Sequence, residues 1–150
     1  MNDGLETEFA DAANSPGLLL WRVTNAWQAA QRAALHTFDL THVQFVLLAS
    51  LTWLTTECPV TQRALADHAH TDPMMTSQVL RALEAKGLIR RAPHPADGRA
   101  RALTVTSEGA ALANAANTAA EGVDRTFFRP LANERQHFTD LLQRLAHSHP

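Results

Sequence analysis

Residues 72–91 read DPMMTSQVLRALEAKGLIRR, and residues 92–106 continue APHPADGRARALTVT. The first stretch opens on Asp72-Pro73, an N-cap acid followed by a proline suited to the first turn of a helix. Thr76, Val79, Leu80 and Leu83 then recur at helical spacing and form an inward face. Gly87 stops the helix, and the period shortens to that of strands over residues 88–92 and 101–106. Between them, residues 93–98 are rich in turn formers, so the pair reads as a β-hairpin with a long basic tip. Upstream, Thr61 caps a short helix over about residues 62–68. Two short helices joined by a turn and followed by a two-stranded hairpin are the order of a winged helix-turn-helix. In that arrangement the second helix enters the major groove of duplex DNA, and the hairpin reaches the backbone or the minor groove.

Working outward, Thr41-His42-Val43-Gln44 is a capping box, and Leu40 with Phe45 has the spacing of a hydrophobic staple. A helix follows with Val43, Leu47, Leu51 and Leu54 in phase, ending near Cys58-Pro59. An acidic arm of about 14 residues precedes Ser15-Pro16, which opens a first helix to about His36. Downstream, a helix from Ser107 to about Arg129 is expected to set Leu112, Ala115, Ala116, Ala119, Val123 and Phe127 on one face, and Pro130 ends it. A last helix places Phe138, Leu141, Leu142 and Leu145 at i, i+3, i+4 and i+7.

The expected fold is mostly α in a single domain spanning residues 1–150. Residues 38–106 form the winged module with a two-stranded β wing, and residues 15–37 and 107–148 form an all-helical dimerisation region. The dimer is expected because a helix of about 23 residues extends roughly 35 Å, beyond what one small module covers.

The composition agrees. A chain of 150 residues is the size of one domain, and 27 alanines without a single tyrosine favour helix over sheet. One cysteine permits no internal disulfide, and the first residues carry neither a basic start nor an apolar signal core, so the chain reads as cytoplasmic. No run has the length and apolarity of a membrane span. The net charge of −2 is unevenly spread. Residues 1–80 hold three bases against eight acids, whereas residues 81–101 hold Arg81, Lys86, Arg90, Arg91, Arg99 and Arg101 against Glu84 and Asp97. A local excess of four positive charges in an acidic chain marks a surface meant for phosphate.

On the helix that begins at Pro73, the face opposite the core carries Met74, Ser77, Gln78 and Arg81. A glutamine pairs with adenine through two hydrogen bonds, an arginine reaches guanine or phosphate, a serine suits base or phosphate, and a methionine meets the methyl group of thymine. Asp97 and Arg99 stand at the hairpin tip, and Arg101, nearer the base of the wing, is expected to point at phosphate.

These residues resemble the MarR family of bacterial transcription regulators. The resemblance rests on TQRALA from Thr61, the 72–91 stretch, and PADGRARALTVTSEG from Pro95 to Gly109, with LTHVQFVLL from Leu40 upstream. It is specific over about residues 38–112 and architectural outside them. It implies a homodimeric repressor or activator of transcription that binds double-stranded DNA and is released from its operator by a small aromatic or phenolic ligand, or in some members by thiol oxidation or metal. A two-fold protein presents two recognition helices, so a pseudo-palindromic operator is expected. Asp97-Gly98-Arg99 matches the family's wing motif, in which the acid orients the arginine for the minor groove. Gln78 departs from the arginine many relatives carry there, which implies a different operator sequence.

Trp21, Trp27, His36, His42 and Trp53 are the candidates for an effector pocket, since indole and imidazole stack on an aromatic acid and pair with its carboxylate. Cys58 is the candidate redox trigger. His68 and His70, two apart and without a second cysteine, do not have the spacing of a metal site, so no metal and no cofactor is expected. No nucleophile triad, phosphate loop or HExxH motif is present, and an enzyme is not expected. A second reading of the same fold is a winged-helix dimer used as a protein-interaction or assembly module, its basic hairpin merely solvated.

Overall fold

The computed structural model describes residues 4–54 and 59–149. Helix α1 spans Pro16–His36 and is capped by Ser15, whose Oγ accepts the Leu18 N–H at 3.3 Å. Helix α2 spans His42–Leu54. The capping box closes as expected: Gln44 N–H donates to Thr41 Oγ1 and Thr41 N–H donates to Gln44 Oε1, each at 3.2 Å. The end expected for this helix near Cys58 lies outside the described residues, and so does Cys58 itself.

A two-residue strand β1 (Val60–Thr61) leads into α3 (Gln62–Ala69), and α4 follows over Pro73–Ala85. Strands β2 (Ile89–Pro93) and β3 (Arg101–Val105) pair antiparallel, with Arg91 opposite Leu103. Helix α5 spans Ser107–Phe127, and α6 spans Arg135–Ser148 after a 3-10 segment over Arg129–Glu134.

The two-stranded wing forms from β2 and β3 as expected, and the sheet gains a third strand: β1 pairs with β3, giving the order β1-β3-β2. Two residues show no period, and Thr61 carries the stronger signal of a helix cap, so nothing in the local sequence announces this strand.

Helix α2 runs through the core and packs against α1, α3, α4, α5 and β3. Leu47, Leu48 and Leu51 are fully buried there together with Leu35, Leu65, Leu80, Leu83, Ile89 and Leu103. Each such leucine contributes about 2 kcal/mol of burial free energy.

The inward face of α5 is Gly109, Ala113, Ala116 and Ala120; of the six residues expected to share the apolar face, Ala116 alone is fully buried in the single chain. Leu112, Ala119, Val123 and Phe127 are half-buried, and Ala115 is exposed. Small residues let α1 and α2 approach the α5 backbone closely, which turns the larger side chains toward the flank.

Candidate nucleic-acid interface

The turn between α3 and α4 is held by short polar side chains. His70 closes α3 in the left-handed conformation at φ 50°, and Asp72 Oδ2 accepts the Met75 N–H at 2.9 Å. Thr76, fully buried, donates from Oγ1 to the Asp72 carbonyl at 2.8 Å and lies 2.7 Å from the Thr71 hydroxyl. With its inward side fixed by Thr76, Val79, Leu80 and Leu83, α4 turns Pro73, Met74, Gln78 and Arg81 to solvent and leaves Ser77 half-buried.

The basic block divides into two groups. Arg91 is held against Glu84 of α4 by its Nε at 2.9 Å and its Nη2 at 2.8 Å, which ties β2 to α4. Lys86, at the C-terminal end of α4, contacts the Asp39 carboxylate at 3.2 Å and donates to the Asp39 carbonyl, bracing the turn between α1 and α2. Arg81, Arg90, Arg99 and Arg101 remain exposed and form no ion pair among the described residues.

In the wing, Asp97 Oδ1 accepts the backbone N–H of Arg99 at 3.0 Å, and the Ala100 N–H donates to the Asp97 carbonyl at 3.1 Å. The carboxylate therefore orders the chain that carries Arg99; the guanidinium is left free to reach outward. Between the wing, α3 and the start of α4 lies a crevice of about 820 Å³, lined by Arg63, Arg99 and Arg101 among other residues. Arg63 is a functional candidate that sequence reasoning placed outside the basic block. It sits in the first turn of α3, and the fold brings that turn opposite the wing.

The five residues read as an effector pocket do not converge. Trp27 and His42 meet edge to face with ring centroids 5.1 Å apart, at the junction of α1, α2 and α5. There Trp27 Nε1 donates to Asp124 Oδ1 at 2.8 Å, and the buried Gln31 donates from Nε2 to the same oxygen at 2.9 Å and to the Ala120 carbonyl at 3.2 Å. Trp21 and His36 lie exposed elsewhere on α1. Trp53 lines a separate groove of about 280 Å³ with Asn114 and Asn117 of α5.

Burial holds the His42 imidazole below its ordinary pKa of 6.5; Arg32 adds to that effect and Asp124 opposes it. A depressed pKa favours neutral imidazole in the fold, so the stability it contributes is complete above pH 6.5 and falls as pH drops through that value. Urea midpoints measured between pH 7.5 and 5.5 are expected to fall more for the wild type than for His42→Gln. Parallel curves would remove His42 from that balance.

A helix α4 anchored at its N-cap, a wing braced to it and a crevice lined by Arg63, Arg99 and Arg101 make up a winged helix-turn-helix fold with an exposed basic surface. The chain belongs to the MarR family, whose model matches residues 40–100. It is 41% identical over 140 residues to an uncharacterized HTH-type transcriptional regulator, YdcH, of Bacillus subtilis, a match that covers 93% of this chain and 95% of that one. It is 33% identical over 131 residues to the HTH-type transcriptional repressor Rv2887 of Mycobacterium tuberculosis, covering 86% and 91%. The fold is also that of the S. aureus MepR chain in the MepR-DNA complex, with a TM-score of 0.81 over 89% of this chain and 98% of that one, at 23% identity. The chain is thus a transcription regulator of winged-helix type. No helix among the described residues is long and apolar enough to cross a membrane.

Proposed function

We propose that two copies of this chain bind a pseudo-palindromic operator in double-stranded DNA and repress transcription from it. The observation that carries this reading is the outward face of α4 beside the arginine-lined crevice. Residues 38–106 act as the DNA-binding module, with Met74, Ser77, Gln78 and Arg81 toward base edges, Pro73 at the groove wall, and Asp97, Arg99 and Arg101 in the wing. Residues 15–37 and 107–148 form the dimer. Support comes from Leu19, Leu20, Trp21 and Val23 of α1 and Leu141, Leu142 and Leu145 of α6, all exposed in the single chain, an apolar surface that a monomer in water does not leave uncovered.

Repression is supported by the likeness to the mycobacterial repressor. A small aromatic or phenolic effector is proposed at the Trp27–His42 contact, where an indole, an imidazole and the Asp124 carboxylate meet between the helices of both regions.

Sedimentation of the purified chain, combined with selection from a random-sequence duplex library, tests the reading. The expected result is a dimer at micromolar concentration that enriches two inverted half-sites centred about one helical turn apart. A monomer, or a library with no enriched duplex, would overturn it.

A further inference from the structure

Resting on that DNA-binding reading, we infer that Met74 and Met75 form a methyl-reading edge that selects thymine in each operator half-site. Both methionines lie in the first turn of α4, exposed at 72% and 46%. Among the described residues, the other large apolar side chain left this open in the winged module is Trp53, on α2. The inner face of α4 is already complete with Thr76, Val79, Leu80 and Leu83, so the two thioethers add nothing to the core.

Their surroundings identify the occupant. Pro73, next in the chain, lines the crevice that holds Arg99 and Arg101, and Arg81 lies two turns further along α4. An apolar tip on the helix that carries Arg81, beside a residue that lines the crevice of Arg99 and Arg101, complements a surface with negative rails and an apolar feature between them. The major groove of DNA is such a surface, and the thymine C5 methyl is its apolar feature. Methionine is unbranched and polarisable and adapts to a methyl group without a fixed geometry.

The spacing extends the assignment. Gln78 lies four residues beyond Met74, about 6 Å along the helix, against a base rise of about 3.4 Å. The base read by Gln78, an adenine by its paired donor and acceptor, therefore falls one to two steps from the methyl read by Met74.

The test uses duplexes enriched by the wild-type protein. Each thymine is replaced singly by deoxyuridine, which removes the methyl and keeps the pairing. At one or two positions in each half-site, affinity is expected to fall about fourfold per methyl. That sensitivity is expected to vanish in Met74→Ala or Met75→Ala, and Met74→Leu, which keeps an apolar tip, is expected to retain it. In parallel, a 5-methylcytosine pair at the same position should bind the wild type more tightly than the cytosine pair, and bind Met74→Ala no more tightly. If uracil is tolerated at every position, or if sensitivity persists undiminished in both alanine variants, the assignment is overturned while DNA binding stands. A library that yields no enriched duplex overturns the DNA reading and this inference together.

Discussion

Gly109→Ala is expected to lower stability by about 3 kcal/mol or more. A Cβ on Gly109 would stand 2.0 Å from the Leu88 carbonyl oxygen and 2.9 Å from its carbon, both backbone atoms that no rotamer change can move away. The same carbonyl accepts the Thr106 N–H at 3.0 Å and the Thr106 hydroxyl at 3.1 Å, and Thr106 Oγ1 caps α5 by accepting the Gly109 N–H at 3.0 Å. A methyl group inserted there separates the start of α5 from the end of α4 and the sheet, and it strains the cap along with the packing. Gly98, with open space around its Cβ position, supplies the control, and Gly98→Ala is expected to stay within about 0.5 kcal/mol of the wild type. Urea denaturation of both variants checks this. Equal midpoints for Gly109→Ala and the wild type would mean that α5 does not seat against Leu88 as described.

The second large effect belongs to the wing. Arg99→Ala is expected to weaken operator binding by about tenfold or more, the loss of a charge-assisted contact. The informative residue is its neighbour. Removing a carboxylate near DNA should tighten binding on charge alone, yet Asp97→Ala is expected to weaken it, because the Asp97 oxygen that holds the Arg99 N–H at 3.0 Å is lost and the tip must be ordered during association. Asp97→Asn separates the two contributions: its amide oxygen accepts the same hydrogen bond without the charge, so it is expected to bind as tightly as the wild type or more tightly. Titration of one operator with all four proteins decides the matter. Tighter binding by Asp97→Ala would reduce the wing to a charged loop.

Local signals made much of this architecture legible. Ser15, Thr41, Thr61 and Asp72 each accept the N–H three residues on, as their places before apolar periodic runs predict. The order of helix, turn, helix and hairpin follows from Pro73, Gly87 and the turn residues before Arg99. What sequence reasoning missed depends on distant partners. Arg91 and Lys86 were counted toward phosphate; the first meets Glu84 across the turn at Gly87, and the second meets Asp39, 47 positions away. Trp27 reaches Asp124 across 97 positions, which is why the effector candidates were grouped by residue type and not by place. The apolar face read from Leu112 to Phe127 flanks the inward face of α5, Gly109, Ala113, Ala116 and Ala120, which the size of side chains does not mark. Close helix packing favours glycine and alanine there.

The central claim is that a dimer presents its unpaired arginines to the phosphates of one duplex. Arg63, Arg90, Arg99 and Arg101 give four such groups per protomer and eight per dimer, apart from Arg81 at the base edges. The most direct measurement is operator affinity as a function of salt concentration. Each phosphate neutralised contributes about −0.9 to the slope of log K against log salt, so the account predicts a slope of about −7, made shallower by about two when Arg99→Ala removes one contact from each protomer. A slope near zero, unchanged in that variant, would contradict the account and leave the winged dimer as a protein-interaction module.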